Sequence, residues 1–450
     1  MRLLFINPPS PDGFTYIRDI NRSGRRSREN TIWPQTSLAM MAAMFPEHTV
    51  CILDCIARKI SYFDIENEFR WAKVTGRSYD WVVVESVSCT FESDMKVVKL
   101  AKEHGAKTAV ISPHSEAMHE EVKRRFPYID EIIDYERDFD PGKPIKEPEA
   151  HLREIVTGLK CETTFEELPI ARQDLLPLHE YNLPFIGSGY TFVITSRGCP
   201  WVCIYCRQGV TWKNRVRYRP VEKVIEEIKT YNLRNVAFHA DTFTVNRNWV
   251  LSLCERMPRG VRWVANSRVD TVDPDLLKEM KKAGCWMICY GVESGNDKVL
   301  QMNEKGAKAT VAQARNAVRW AKEAGIKVWT YMMLGMYGDT EETMRQTIDL
   351  AKELDGDICN FALSAPYPGT KWGKIAQEKG WLTENSWSKY DQNVSAIVEQ
   401  PGCSPESVLK FQRRAYLEWY LSWRGVKFIA KSFRFNHIPY FYRTILDHLR

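Results

Sequence analysis

The sequence has no long apolar run. The longest one near the N-terminus, Leu38 to Phe45, falls well short of the roughly 20 residues that a helix needs to cross a bilayer. No charged-then-apolar secretory leader precedes it, so a soluble, cytoplasmic protein is expected. Long repeats and low-complexity tracts are also missing, which leaves an ordinary globular chain. No G-x-G-x-x-G follows the first apolar stretch, which weakens any dinucleotide-binding reading. There is no general excess of one charge: nine Lys or Arg against three Asp or Glu from Ser404 to Arg450 account for the whole net charge of +6. Most of the twelve cysteines are scattered singly, and in a long chain without a leader that excludes a disulfide framework.

What is present begins with size. With 450 residues and 44% hydrophobic content, the chain can build two or three cores. The first third alternates short apolar runs with helical stretches. Arg2 to Ile6, Thr49 to Leu53, Trp81 to Glu85, Lys107 to Ile111 and Glu131 to Asp134 read as strands. Helices are expected near Ser37 to Phe45, Tyr62 to Trp71, Glu92 to His104 and Glu116 to Phe126. This is the α/β pattern of a doubly wound, Rossmann-like parallel sheet over residues 1–140, with its binding crevice at the strand C-termini. Residues 141–189 are rich in Pro and acidic side chains and read as a linker. From 190 to 385 a second alternation predicts strands at Thr191 to Ser196, Asn235 to His239, Arg262 to Asn266, Trp286 to Gly291, Lys327 to Met333 and Ile358 to Leu363. Six strand-helix units predict a partial (β/α)6 barrel of the TIM type, with its chemistry at the strand ends. Residues 386–450 form a basic, aromatic, helical C-terminal region.

The strongest local signal is Cys199, Cys203 and Cys206, spaced C-x3-C-x2-C in TSRGCPWVCIYC. Three thiolates can hold three irons of a [4Fe-4S] cluster, leaving the fourth iron open to a substrate. Zinc is the competing reading, but it usually takes four ligands as paired C-x2-C units, and no second pair exists. Gly198 and Pro200 favour a tight, extended loop around the cluster.

RGCPWVCIYC, with an aromatic residue before its last cysteine, closely resembles the cluster motif of radical S-adenosylmethionine enzymes. Further matches follow in order. AFHADTFT (Ala237 to Thr244) resembles the strand-end motif that holds the methionine amino group, which implies Asp241 and Thr242. Arg268 in NSRVD resembles the family arginine beside the methionyl carboxylate, where a guanidinium can give paired charge-assisted bonds. Glu293 in YGVESGN matches a family glutamate at the cofactor, and GMYGDTEET and APYPGTKW resemble late barrel motifs. The bland readings are a helix cap for Asp241 and surface ion pairs for Arg268 and Glu293.

The N-terminal segments INPPSP, LDCIA, SVSCTFESD and SPHSEAMHEEV are similar to the cobalamin-binding domain fused to many radical enzymes, and ARQDLLPLHEY resembles the linker that follows it. That resemblance implies cobalamin held by Asn7, Pro8, Asp54, Ser88, Thr90 and His114. Ile111 and Ser112 stand where the family usually has two glycines, and the D-x-H-x-x-G that announces a histidine ligand to cobalt is absent. Cobalamin is therefore expected without histidine ligation.

Together the resemblances imply a cobalamin-dependent radical methyltransferase of class B, the group that includes the anaerobic magnesium-protoporphyrin ester cyclase and the hopanoid enzymes. Such an enzyme abstracts hydrogen from an unactivated carbon through a 5'-deoxyadenosyl radical and transfers methyl from methylcobalamin clamped between its domains. A cyclase or rearrangement enzyme with the same cofactors and a non-catalytic cobalamin or metal sensor are the rivals. Methylthiolation normally requires further clusters. A reductant such as flavodoxin or ferredoxin is implied, and the substrate is a protein side chain, a lipid or another natural product. Tyr205, Trp212, Trp263 and Trp329 either line the substrate path or belong to the core. The tail from 404 to 450 suits packing over the barrel, a membrane surface or an anionic partner; no nucleic-acid motif accompanies it. Arg18, Arg22, Arg25, Arg26 and Arg28 read as an anion-binding loop or a solvated insertion. No catalytic side chain is assigned.

Overall fold

The computed structural model describes residues 1–19, 24–27, 31–133, 146–183, 187–304 and 309–422. The chain divides into two compact units: Met1–Ser27, Thr31–Arg197 and Thr211–Leu233 form one, and Arg28–Asn30, Gly198–Val210 and Arg234–Arg450 the other.

The first unit is built on a parallel sheet of β1 (Arg2–Asn7), β2 (Thr49–Asp54), β3 (Trp81–Glu85), β4 (Lys107–Ile111) and β5 (Glu131–Ile133), in the order β2-β1-β3-β4-β5. Its central strands are continuous apolar runs because both faces are covered; Leu3–Ile6, Val82–Val84 and Ala109–Ile111 are each at most 2% exposed. The helices α1 (Thr36–Ala43), α2 (Tyr62–Val74) and α3 (Phe91–Glu103) supply the cover. The longest early apolar run, far from a membrane span, is the buried α1. A reciprocal cap between Ser61 and Asp64 starts α2. Because β1 pairs with both β2 and β3, the strand order reverses beside it, and the loops after these strands meet at their C-terminal ends.

Two expectations for this unit need correction. The single helix expected over Glu116 to Phe126 is two shorter ones, Pro113–Ala117 and His119–Arg125, because Met118 leaves the helical region at φ −121° and ψ 29°. The Pro-rich, acidic stretch is also more than a connection, since it holds α4 (Pro148–Thr157). Proline is tolerated at that first helical position because its missing N–H would have no partner there anyway. Beside it, Glu147 and Glu149 are buried against Arg197, at 2.6 and 2.5 Å. The strand expected at Thr191 forms as β6 (Tyr190–Ile194), also in the first unit.

The second unit carries β7 (Asn235–His239), β8 (Arg262–Arg268), β9 (Cys285–Glu293), β10 (Lys327–Leu334) and β11 (Ile358–Leu363), parallel and side by side in chain order. The helices α5 (Arg247–Arg256), α6 (Pro274–Lys282), α7 (Val311–Glu323) and α8 (Glu341–Leu354) alternate with them. The architecture is thus α/β with parallel sheets. At β11 the ladder is finished by a helix, α9 (Pro405–Tyr420). Gln412 Nε2 donates to the Phe361 carbonyl at 2.8 Å, and the Phe361 N–H donates to the Tyr416 hydroxyl at 3.1 Å. Side chains here replace a neighbouring strand and blunt the edge. The aromatic face of α9 holds Phe411, Tyr416 and Trp419, all buried and none offered to a membrane surface; residues 423–450 of the tail lie outside the described residues. Among the described residues no helix is long and apolar enough to cross a membrane.

On α9, Glu418 meets Arg345 at 2.6 Å, Arg414 at 2.7 Å and Lys352 at 3.0 Å. The hydrogen bond from Arg345, foremost, holds its carboxyl well below the usual range. A depressed carboxylate stabilises the fold above its unfolded value and loses that contribution as pH falls through the folded one. Glu418→Gln is therefore expected to cost about 1 kcal/mol at neutral pH for this partly exposed network. Denaturation at stepwise lower pH should show the gap from the wild type closing below the ordinary carboxylate range.

Candidate cluster and cofactor sites

The cysteine loop opens at Gly198, whose φ of +90° places it where L side chains are strained. Its N–H donates to Asp241 Oδ2 at 2.8 Å. The middle of the loop is held by its backbone: Ile204 N–H donates to the Asn303 carbonyl at 3.1 Å, and the Ile204 carbonyl accepts from Trp372 N–H at 2.9 Å. The Asn303 amide in turn donates to the carbonyls of Val299 and Tyr337, both at 2.8 Å. Arg207 donates to the Pro368 carbonyl at 3.1 Å. Asn303 was not foreseen, because main-chain anchoring leaves no motif; Trp372 closes the APYPGTKW motif, but its contact runs through its backbone N–H.

The strand-end residues singled out in the sequence gather on this loop. Cys199 Sγ lies 3.8 Å from Thr242 Oγ1, and Arg268 Nη1 lies 3.9 Å from Cys203 Sγ. The Arg268 guanidinium stacks 4.1 Å from the Trp201 ring centre and is gripped by Asp270, each oxygen at 2.8 Å. The paired donors expected for a methionyl carboxylate are thus turned to Asp270, two residues on, leaving Nη1 toward the cluster loop. Glu293 ends β9 with φ +72°, where the register with β10 shifts. Such left-handed strain in a residue other than glycine points to a functional constraint. Tyr205 is packed against Met333, Met336 and Val299 on one side. Burial, then the nearby Glu293 and Cys203, raise its phenol far above the ordinary value.

The donor set fits an iron-sulfur cluster. All three cysteines are unbridged, and no group of three His, Cys, Asp or Glu converges on one point among the described residues. A cubane takes one thiolate on each of three irons and leaves the fourth iron open. Burial pushes the Cys199 thiol up to about 11 and shifts Cys206 the same way, so iron must displace protons as it binds. Of the remaining aromatics, Trp212 is buried beneath Arg217 and Arg197, at 4.8 and 5.4 Å. Trp263 is buried beside Phe238, with its Nε1 on the Ala283 carbonyl at 2.8 Å. Both belong to the core.

At the C-terminal edge of the first sheet, the residues implied for cobalamin are bonded to one another and to side chains not foreseen. Asn7 Nδ2 donates to Asp54 Oδ1 at 2.8 Å, and Asp54 also accepts from the Tyr181 hydroxyl at 3.0 Å. Ser88 lies 3.1 Å from His114 Nδ1, with the imidazole buried 5.1 Å from Phe91. The centre of the group is Arg18, fully buried and neither a solvated insertion nor an exposed anion site. It pairs with Asp94 at 2.7 Å and donates to Thr90 Oγ1 at 3.1 Å, to Asn7 Oδ1 at 3.2 Å and to the carbonyls of Pro8 and Pro9 at 2.8 and 3.1 Å. Thr90 and Ser86 donate to Asp94 at 2.6 and 2.7 Å. Burial pushes the Asp94 carboxyl up, against the pull of Arg18. Gly24 lies so close to Val87 that a Cβ on it would meet Val87 Cγ2 at 2.0 Å. Arg22 and Arg28 lie outside the described residues. The charges of Arg18 and Asp94 are thus satisfied within the rim itself.

Residues 193–351 match the radical SAM superfamily model. An uncharacterized methyltransferase of Pyrococcus horikoshii is 28% identical over 448 residues, spanning 94% of this chain and 93% of that one. The anaerobic magnesium-protoporphyrin IX monomethyl ester cyclase of Cereibacter sphaeroides is 30% identical over 251 residues, 52% of this chain and 40% of that relative. The solved structure of TsrM, a radical S-adenosylmethionine methyltransferase from Kitasatospora setae with cobalamin and a [4Fe-4S] cluster bound, shares the fold at 14% identity, with a TM-score of 0.65 over 92% of this chain and 90% of that one. Residues 193–351 therefore carry a radical S-adenosylmethionine domain, which marks the chain as an enzyme. Along nearly its whole length it resembles a methyltransferase.

Proposed function

We propose that this chain is a cobalamin-dependent radical S-adenosylmethionine methyltransferase acting on an unactivated carbon. The observation that carries the reading is the convergence of Asp241, Thr242 and Arg268 on the loop of Cys199, Cys203 and Cys206. When bound, the cluster and S-adenosylmethionine would supply a carbon radical, and cobalamin the methyl group.

The chain's own residues bind and orient. Cys199, Cys203 and Cys206 would ligate three irons, and Arg268 would place positive charge beside the Cys203 sulfur. Asp241 fixes the loop entrance through the Gly198 amide and, with Thr242 and Glu293, would receive the polar end of S-adenosylmethionine. Asn7, Pro8, Asp54, Ser88, Thr90 and His114 shape the rim for cobalamin, and the burial of His114 on Ser88 and Phe91 favours a cobalt without histidine ligation. A flavodoxin or ferredoxin would deliver the electron.

Anaerobic reconstitution with iron, sulfide and cobalamin, followed by product analysis, tests this. Turnover should yield both 5'-deoxyadenosine and S-adenosylhomocysteine. Deoxyadenosine alone would favour the cyclase-type reading to which the Cereibacter relative belongs. A protein that takes up neither cluster nor cobalamin would sink the proposal.

A further inference from the structure

We infer that Thr347 and Gln346 of α8 are positioning residues: they brace the turn at the end of β9 that carries Glu293, and so set how tightly S-adenosylmethionine is held. This rests on the reading of Glu293 as a contact to that molecule. The turn is strained. Glu293 has φ +72°, and the Ser294 N–H donates back to the Val292 carbonyl at 3.1 Å. A bond between residues two apart around a positive φ is the rarer, strained form of γ-turn. It lies near the cluster loop, because Gly291 pairs across the ladder with Arg268, whose Nη1 reaches Cys203. A backbone held in such a conformation persists only where its surroundings over-determine it.

The three residues after Glu293 show what holds it. Each of them meets α8. Ser294 Oγ lies 3.4 Å from Thr347 Oγ1, the Gly295 N–H donates to Thr347 Oγ1 at 2.9 Å, and Asn296 Nδ2 donates to Gln346 Oε1 at 2.7 Å. The Thr347 hydroxyl gives its own proton to the Thr343 carbonyl at 3.0 Å, which leaves its oxygen as the acceptor for Gly295. Thr347 and Ser294 are fully buried, so water cannot replace these bonds cheaply. Glycine is required at 295 by space: a Cβ there would run into the Gln346 carbonyl and meet the Thr347 backbone nitrogen at 2.7 Å. Beyond the brace, Asn296 Oδ1 accepts the Val299 N–H at 3.0 Å and starts the short helix Asp297–Met302. The turn is therefore fixed on its far side by a helix cap and from behind by α8.

The test is equilibrium dialysis of S-adenosylmethionine against the full-length protein with its cluster reconstituted but not reduced, so that binding is read without turnover. Thr347→Val keeps the shape and removes the acceptor, and Gln346→Leu does the same for the second bond. Each should weaken retention by roughly fivefold, the size of one lost hydrogen bond, with iron content unchanged and thermal melting verifying that both fold. Thr347→Ser, which restores the hydroxyl, should bind as the wild type does. Because the brace acts through Glu293, neither substitution should weaken retention further once Glu293→Ala is in place. If Glu293→Ala weakens retention while both brace variants leave it unchanged, or if their losses add in full to that of Glu293→Ala, the inference is overturned and the reading of Glu293 stands. If Glu293→Ala retains S-adenosylmethionine as the wild type does, or the wild type retains none, both fall together.

Discussion

Cys203→Ala is expected to abolish the cluster and with it all formation of 5'-deoxyadenosine, while cobalamin remains bound. A [4Fe-4S] cluster that already leaves one iron without a protein ligand cannot lose a second thiolate and stay intact. Cys203 is also the cysteine beside the Arg268 guanidinium, so the variant leaves that cation without its sulfur partner. The rim around Asn7 and Asp54 belongs to the other unit and bonds within itself, which is why cobalamin should persist. Iron and sulfide analysis, the visible spectrum after reconstitution with cobalamin, and chromatography of the products check the three parts separately. Loss of cobalamin together with the cluster would mean that the two units do not hold their cofactors independently.

The second large effect concerns stability. Arg18→Met should lower the unfolding free energy by about 3–5 kcal/mol, the usual cost of leaving one member of a buried pair uncompensated. Asp94 would then be a carboxyl with no exposure, holding only the hydroxyls of Thr90 and Ser86. The paired replacement Arg18→Met with Asp94→Leu should recover most of the loss, because it removes the stranded charge along with its partner. The sign with pH follows: burial already raises Asp94, and without Arg18 it rises further, so the deficit of the single variant should shrink as acid protonates it. Urea denaturation of the wild type and both variants at neutral and mildly acidic pH measures this. A single variant as stable as the wild type would show that the pair contributes nothing.

The contrast between these two sites explains what could be read in advance. The cluster cysteines announce themselves by their spacing, whereas Asp241, Arg268 and Glu293 were singled out through the family resemblance of the short motifs that hold them. The strands of both sheets were legible because a parallel sheet buried on both faces leaves continuous apolar runs such as WVVV. Arg18 gave no such signal, since its partner Asp94 lies in a distant element and only the fold joins them. The same holds for Arg197 with Glu147 and Glu149, and for Gln412 and Tyr416, which satisfy the backbone of Phe361. The acidic stretch that reads as a linker contains a helix because its carboxylates answer buried arginines, a pairing that composition cannot reveal. Asp270 lay in plain view two residues after Arg268, yet its grip on the guanidinium depends on a side-chain geometry that no pattern encodes.

The anchoring of Ile204 also sets an order of events during synthesis. Both backbone groups of that residue, at the centre of the cysteine loop, are satisfied by main chain made much later, at Asn303 and Trp372. The ribosome releases the three cysteines long before it releases their supports, so the nascent loop emerges with its thiols in reach of any passing metal. The loop therefore reaches this geometry only once the residues around Trp372 have left the exit tunnel.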